Sequence, residues 1–338
     1  CAHWLWQSVI PMHRTSCYMG NTDSHVASLL GMTFLKMHRA QKMGGQGRPF
    51  RRHSHFQLST LSQGVSAMSF LTHQNNDLLW LSSSLLDGQA VRHGFSTRLG
   101  GVSPAPWGSL NLGISRGDSM ENVRENYRRF CAAVGVAPER TVLSQQTHSE
   151  NIRLVTEADA GKGLLLPRDY TDVDALITDR AGLALVVFSA DCGTILLHDP
   201  VRRCIGAVHA GWRGVAMGLV AKTALTMHDV FGTEPKDLLC ALGPAIGQCC
   251  FETDGDVPAA MRDALGSEAD PFMSRQGEKW HVDLKGINAH WLKRLGVTNI
   301  DICPHCTACR PDLYWSHRKM GNARGAQAAM LALEDKTV

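Results

Sequence analysis

The chain has 338 residues, 44% of them hydrophobic and 19% charged, with a formal net charge of +3. That composition excludes a disordered polymer and is long enough for one large domain or two small ones with a real core. No apolar run approaches the roughly 18 residues that cross a bilayer, so no membrane partner is expected.

The charge is uneven. Residues 1–76 carry seven Lys/Arg and a single acid, about +6, and the remainder is about −3. A mildly acidic body offers no electrostatic footprint for nucleic acid. The first 76 residues are rich in His, Arg, Ser and Met and lack a sustained apolar period. They read as a poorly ordered basic leader, either transit-peptide-like or an upstream extension ahead of a start near Met68. The folded domain is expected over residues 77–336. Eleven scattered cysteines read as reduced thiols of a cytoplasmic protein rather than as a disulfide scaffold.

From Asp77 the pattern becomes orderly. Leu78–Leu86 and Val91–Ser96 are strand candidates, and Gly100-Gly101 with Ser103-Pro104-Ala105-Pro106 marks a loop. Val123, Tyr127, Phe130 and Val134 recur at helical spacing, so Ser119–Val134 is expected to be a helix. Thr141–Ser144 reads as a strand. Asp174–Thr178 and Leu183–Phe188 are β-like runs around a turn at Asp179–Gly182. Thr194–His198 and Cys204–His209 repeat that pattern around Asp199-Pro200. One helix is expected over Val215–Phe231, a strand over Asp237–Leu242, a helix over Ile287–Leu295 stopped by Gly296, and a strand over Thr298–Ile302. Hairpins mixed with helices point to an α/β or α+β domain with mixed sheets rather than a regular βαβ array.

Three segments each place one good metal ligand at a strand end: Gln146-Thr147-His148, Ala190-Asp191-Cys192 and Val208-His209-Ala210. Imidazole and thiolate suit zinc or copper, and three protein ligands leave a position open for water or substrate. None lies in a short local motif, so spacing alone does not distinguish ligands from structural residues.

The flanking residues form a longer ordered series. It runs from Phe95-Ser96-Thr97-Arg98-Leu99-Gly100-Gly101-Val102-Ser103 through Ser109-Leu110-Asn111-Leu112-Gly113, Gly117-Asp118 and Glu125-Asn126. It continues with Gln146-Thr147-His148, Asp174-Ala175-Leu176-Ile177-Thr178, Ala190-Asp191-Cys192 and His209-Ala210-Gly211-Trp212-Arg213-Gly214. Leu242-Gly243-Pro244-Ala245-Ile246-Gly247, Cys250-Phe251-Glu252, Asp283-Leu284, Cys306-Thr307 and Tyr314-Trp315-Ser316-His317-Arg318 complete it. This series closely resembles the laccase-domain family, formerly called multicopper polyphenol oxidases and now understood as purine nucleoside phosphorylases. The resemblance covers about residues 77–330.

The resemblance implies a single compact α/β domain with layered mixed β-sheets flanked by helices. It implies zinc, with copper as the other candidate, held by His148, Cys192 and His209. The implied activity is phosphorolysis of adenosine, inosine and S-methyl-5′-thioadenosine by inorganic phosphate, with adenosine deamination as a side activity. The resemblance also connects bacterial relatives to peptidoglycan quality control. The chain departs from the family pattern at Gly193-Thr194, Arg318-Lys319 and Asn322-Ala323-Arg324.

Phosphorolysis requires a dianion to be held beside the sugar, a task for the planar fork of arginine. Arg98, Arg213 and Arg318 are the candidates, with surface ion pairing as their plainer role. Asn111 and Ser316 are further candidates for contacting substrate, or are turn residues. Asp191 is a candidate catalytic proton shuttle beside Cys192, or the holder of a turn. Gly211 and Gly214 are expected to let the chain turn tightly after His209. Two other readings stay open: a copper-dependent polyphenol oxidase, and a non-enzymatic metal-binding scaffold. The protein is expected to be a monomer or homodimer.

Cys303-Pro304-His305-Cys306-Thr307-Ala308-Cys309 contains two C-x-x-C steps and is a candidate second metal site, needing a fourth ligand from His305 or a distant cysteine. The resemblance accounts for Cys306-Thr307 without a second metal. Cys249-Cys250 reads most simply as two reduced thiols.

Overall fold

A computed structural model describes residues 70–335. The expected leader therefore lies outside the described residues except for its last segment. That segment is a strand, β1 (Phe70–Asn75), paired antiparallel with β2 (Leu78–Ser83) around a tight turn in which Asn76 takes φ 53°. The described fold thus starts seven residues ahead of the expected boundary.

Two six-stranded sheets carry the fold. The first has the order β1-β2-β3-β15-β7-β4, with β3 (Val91–Ser96), β4 (Thr141–Leu143), β7 (Ala184–Ser189) and β15 (Gln327–Leu333). The second has the order β14-β10-β8-β9-β6-β5, with β5 (Ile152–Leu154), β6 (Ala175–Thr178), β8 (Gly193–Asp199), β9 (Cys204–Ala210), β10 (Leu239–Leu242) and β14 (Asn299–Ile302). A small third sheet joins β11 (Glu252–Thr253), β12 (Met273–Gln276) and β13 (Lys279–Val282).

Strand periodicity shows how the two large sheets stack. On β7, Leu185 and Val187 enter one apolar cluster, and Ala184 and Val186 enter another. On β8, Leu196 joins the cluster of Leu185 and Val187, while Ile195 and Leu197 face the other way. Alternate residues of each strand point to opposite faces, so the shared cluster lies between the sheets. Helix α1 (Met120–Val134) covers the outer face of the first sheet. Helices α3 (Leu219–Phe231), α4 (Asp256–Leu265) and α5 (Leu284–Arg294) cover that of the second. With both faces buried, the central strands are apolar throughout, as in Leu183–Phe188, and the layered α/β architecture is the expected one.

The local chemistry of α1 is simple. Ser119 Oγ accepts from the Asn122 amide at the start, and Gly135 at φ 83° returns its N–H to the Cys131 carbonyl at the end. The expected single helix over 215–231 is instead two pieces. Helix α2 (Trp212–Ala216) stops, Gly218 turns left-handed at φ 67°, and α3 begins. The break fits over the face of buried Trp291, whose ring lies 3.3 Å from where a Gly218 Cβ would be. The Trp291 indole also donates to the Val215 carbonyl at 2.9 Å, closing the end of α2.

A second difference concerns the runs on either side of Asp179–Gly182. They do not pair: β6 belongs to the second sheet and β7 to the first, so the chain changes layers there. It changes back between β7 and β8, through Ala190-Asp191-Cys192. The hairpin around Asp199-Pro200 is present as β8 and β9. Among the described residues no helix is long and apolar enough to cross a membrane.

Trp291→Ala is expected to cost about 3–5 kcal/mol in denaturant unfolding, by opening a large cavity. Trp291→Phe should cost less, about 1–3 kcal/mol, from the lost indole hydrogen bond and the smaller ring, the Val215 carbonyl keeping the Gly218 N–H. Wild-type stability in Trp291→Phe would show that the indole hydrogen bond does not matter.

Candidate metal centre and cavity

The layer change between β7 and β8 delivers Cys192 to one end of the inter-sheet gap. His209 stands on β9 opposite Thr194 of β8, and it shares parity with Ile205 and Ala207, whose side chains face that gap. His148 arrives on the loop after β4, with its backbone at φ 67°. One ligand atom from each of His148, Cys192 and His209 lies within 4.8 Å of the others. The Cys192 sulfur is 3.7 Å from His148 Nε2, and the two imidazoles meet edge to face at 5.0 Å between centroids. His209 is buried, Cys192 half-buried and His148 exposed, which leaves one side open.

Asp174, immediately ahead of β6, holds this arrangement. Its Oδ1 accepts from His209 Nδ1 at 2.7 Å, turning the other ring nitrogen toward the sulfur. The same carboxylate accepts the backbone N–H groups of Thr147 (3.0 Å), His148 (3.2 Å) and Ser149 (2.8 Å). Burial pushes the Asp174 carboxyl up, but the hydrogen bond and charge of His209 outweigh it and bring it down to about 2. Burial likewise works against a Cys192 thiolate, and the charges and hydrogen bonds of His209 and His148 outweigh it, so its pKa falls. The sulfur is biased toward the form that ligates metals.

Gly211 supplies the remaining space. A Cβ there would lie 2.4 Å from His148 Cδ2 and 3.3 Å from the Cys192 sulfur. Its φ of −68° is ordinary, so clearance rather than the expected tight turning requires glycine at 211. A Cβ at Gly214 would meet nothing closer than 3.6 Å. Two imidazoles, a thiolate and a carboxylate that orients one imidazole fit zinc or copper by donor chemistry.

A cavity of about 430 Å³ opens beside the three ligands. Its wall contains His148, Cys192 and His209 together with Arg116, Arg168 and Arg324. Arg324 is only 8% exposed; its Nη1 donates to the Gly325 carbonyl, and its buried Nε has no partner among the described residues. Burial first, and the charge of Arg116 second, push the Arg324 guanidinium down to about 10. Arg168 donates to the Ser144 carbonyl at 2.8 Å. Phe188 and Ile114 add apolar surface.

The arginines singled out in the sequence lie elsewhere. Arg98 does not line this cavity. Its guanidinium donates to the carbonyls of Pro311 (2.8 Å) and Gly108 (2.9 Å) and lies 4.1 Å over the Trp315 ring, joining two loops. The Arg318 guanidinium donates to the carbonyls of Cys250 and Glu252. Exposed Arg213 stacks on Trp212 and lines a separate hollow of about 500 Å³ on another side of His148. Asn111 is fully buried, and its Oδ1 accepts from Gly113 and Ala326, two residues of the cavity wall. The Asp191 carboxylate accepts from Thr307 Oγ1 (2.6 Å), Ser316 Oγ (3.1 Å) and the Arg318 amide (2.7 Å). Those three donors make Asp191 the holder of the turn, at φ 91°, that presents Cys192. Ser316 serves this network and caps helix α6 (His317–Met320) through the Lys319 amide.

Sequence reasoning thus missed Asp174, Arg116, Arg168 and Arg324 as site residues. Two signals were present: Asp174 opens one of the family-like segments, and Arg324 ends the altered Asn322-Ala323-Arg324 segment.

A cysteine and two histidines at the end of the gap between two stacked sheets define a candidate metal site in a layered α/β protein. Residues 92–334 match the family model described as multi-copper polyphenol oxidoreductase laccase, and the chain belongs to that family. The purine nucleoside phosphorylase YlmD of Geobacillus stearothermophilus is 35% identical over 246 residues, 71% of this chain and 88% of that protein. A Corynebacterium glutamicum protein, also named purine nucleoside phosphorylase, is 34% identical over 244 residues, 72% of this chain and 94% of its own. The crystal structure of G. stearothermophilus YlmD superposes with a TM-score of 0.72 at 30% identity, covering 79% of this chain and all of that one.

Asp174→Asn is expected to lower metal affinity about 10–100-fold, read by competition with a chromogenic chelator. Gly211→Ala should displace the His148 ring and weaken metal binding while far-UV circular dichroism stays unchanged. Wild-type affinity in both variants would refute the arrangement described.

Proposed function

We propose that the protein is a zinc-dependent purine nucleoside phosphorylase acting on adenosine, inosine and S-methyl-5′-thioadenosine, with adenosine deamination as a side activity. The relatives named purine nucleoside phosphorylase support the reaction class. The observation that carries the reading is a buried, incompletely paired Arg324 in the same cavity wall as Arg116, Arg168 and the three metal-ligand candidates. A buried guanidinium with a spare donor favours an anionic ligand.

In phosphorolysis a phosphate oxygen forms a bond to the anomeric carbon as the bond to the purine nitrogen breaks, and the purine leaves with a proton. Arg324, Arg116 and Arg168 would hold the phosphate and neutralise its charge next to the sugar. Phe188 and Ile114 would face the apolar parts of the nucleoside and exclude water. His148, Cys192 and His209 would hold zinc, which supplies Lewis-acid stabilisation for the charge developing on the purine. Deamination at the same place would replace the amino group at C6 of adenine with water oxygen and release ammonia. Asp174 and Asp191 act through others, as positioning residues for His209 and Cys192. Nine described cysteines without disulfides support the cytoplasmic reading.

A His₂Cys set also binds copper, which keeps the phenol oxidase as a second reading. A multicopper centre needs a dense set of histidines. Among the described residues one cluster contains histidine, with two of them.

Zinc-loaded protein incubated with adenosine should release adenine only when phosphate is present, with inosine as a minor product. Arg324→Ala is expected to lower kcat/KM for phosphate about 10–100-fold, the loss of a charge-assisted hydrogen bond, while retaining zinc. Turnover of phenols after copper loading, without phosphate-dependent adenine release, would favour the oxidase. No turnover in either assay would favour a scaffold.

A further inference from the structure

Four more cysteines meet away from the cavity. Cys249 and Cys250 lie on the turn after β10, where the amides of Cys250 and Phe251 both donate to the Gly247 carbonyl at 3.0 Å. Cys306 and Cys309 lie on the segment after β14. The sulfurs of all four are within 4.8 Å of one another. Cys309 Sγ is 3.5 Å from Cys249 Sγ and 3.4 Å from Cys250 Sγ. Cys249 and Cys250 are free thiols, as expected, and they are the distant cysteines that join Cys306 and Cys309; only the place of Cys303 in the expected set is corrected. Cys303 is fully buried in the inter-sheet core and is no part of the cluster, and the third and fourth members are the Cys249-Cys250 pair.

We propose that Cys249, Cys250, Cys306 and Cys309 form a second metal site, a structural tetrathiolate for zinc separate from the His148–Cys192–His209 centre. Zinc–sulfur bonds of about 2.3 Å in a tetrahedron set the sulfurs about 3.8 Å apart, close to the separations found. A disulfide requires about 2.05 Å and joins one sulfur to one other. Here Cys309 approaches two partners almost equally, which suits a shared ion better than a single covalent pair. Four thiols without an open position make a closed, structural site.

The surroundings accommodate the negative charge that four thiolates bring as zinc enters and their protons leave. The Gly247 N–H donates to Cys306 Sγ at 3.2 Å. The Arg318 guanidinium is bonded to the Cys250 carbonyl, placing a cation beside the cluster. Gly247 also allows close approach, since a Cβ there would lie 3.3 Å from the Cys249 sulfur and 3.2 Å from Cys306 Cβ. Two ligands are exposed, so the ion can enter from solvent.

The site has a structural consequence for the first one. Thr307, flanked by the two ligands of its segment, donates to Asp191 Oδ1, and the Ile246 amide on the other strap donates to the Asp191 carbonyl at 2.8 Å. A zinc ion between the straps would fix both groups that grip the residue preceding Cys192.

The test uses the full chain purified with zinc and counts metal by elemental mass spectrometry. Wild type should hold two zinc ions per chain, and Cys309→Ser and Cys192→Ser should each hold one. Wild-type protein exchanged with cobalt(II) should show the intense red-region ligand-field bands of a tetrathiolate, absent from Cys309→Ser. The wild-type spectrum decides the matter even if that variant fails to fold. One zinc per wild-type chain with no tetrathiolate cobalt spectrum would overturn the proposal, as would an intact mass showing Cys309 disulfide-bonded to Cys249 or Cys250. Neither readout depends on turnover, so the second site can fail while the proposed reaction stands, and the reverse.

Discussion

The carboxylate of Asp174 ties together parts of the chain that would otherwise have no reason to meet. It sits at the start of an inner strand and reaches in two directions. One oxygen orients the His209 imidazole on the neighbouring strand, and both oxygens collect the successive amides that fix the His148 loop. Burying a carboxylate is costly unless its oxygens are satisfied, and here four N–H groups and the Ser149 hydroxyl satisfy them. A buried charge thereby specifies the relative placement of two side chains separated by 61 positions. Asp191 does the corresponding work for Cys192, so each side of the candidate metal centre hangs on an acid outside the His148–Cys192–His209 group.

The arginines divide along similar lines. Those in the most recognisable motifs, Arg98 and Arg318, donate to backbone carbonyls and knit loops together. Those facing the cavity, Arg116, Arg168 and Arg324, come from segments with little motif character. A strongly patterned arginine is therefore as much a sign of a demanding loop as of a ligand contact. The fork geometry that suits a phosphate also suits two carbonyls set side by side.

Much of the framework was legible because it follows local rules. The helix after Ser119 has its apolar stripe, its cap and its terminal glycine in sequence order. The hairpin around Asp199-Pro200 alternates its two apolar faces as the sandwich requires. Other elements were not legible. β15 reads Gln-Ala-Ala-Met-Leu-Ala-Leu, without a β-branched residue, and is a strand because both its neighbours supply hydrogen bonds. Helix α4 begins with Asp-Val-Pro, where proline sits within the first turn, and its stripe of Val257, Met261 and Leu265 is short. The candidate ligands at 148, 192 and 209 stood out through their flanking motifs, since convergence across layers leaves no trace in spacing. The four-cysteine cluster pairs two straps nearly 60 residues apart, and only the proximity of β10 and β14 makes them neighbours.

The position of β15 also bears on how the protein is made. It fills the centre of the first sheet, between β3 and β7. Until Gln327–Leu333 leaves the ribosome, β3 and β7 each present a bare edge of unpaired amides and carbonyls. β15 follows β7 by about 140 residues, roughly 7–30 s of synthesis at about 5–20 residues per second. For that interval the nascent chain holds two incomplete half-sheets, and β15 then closes the gap between them.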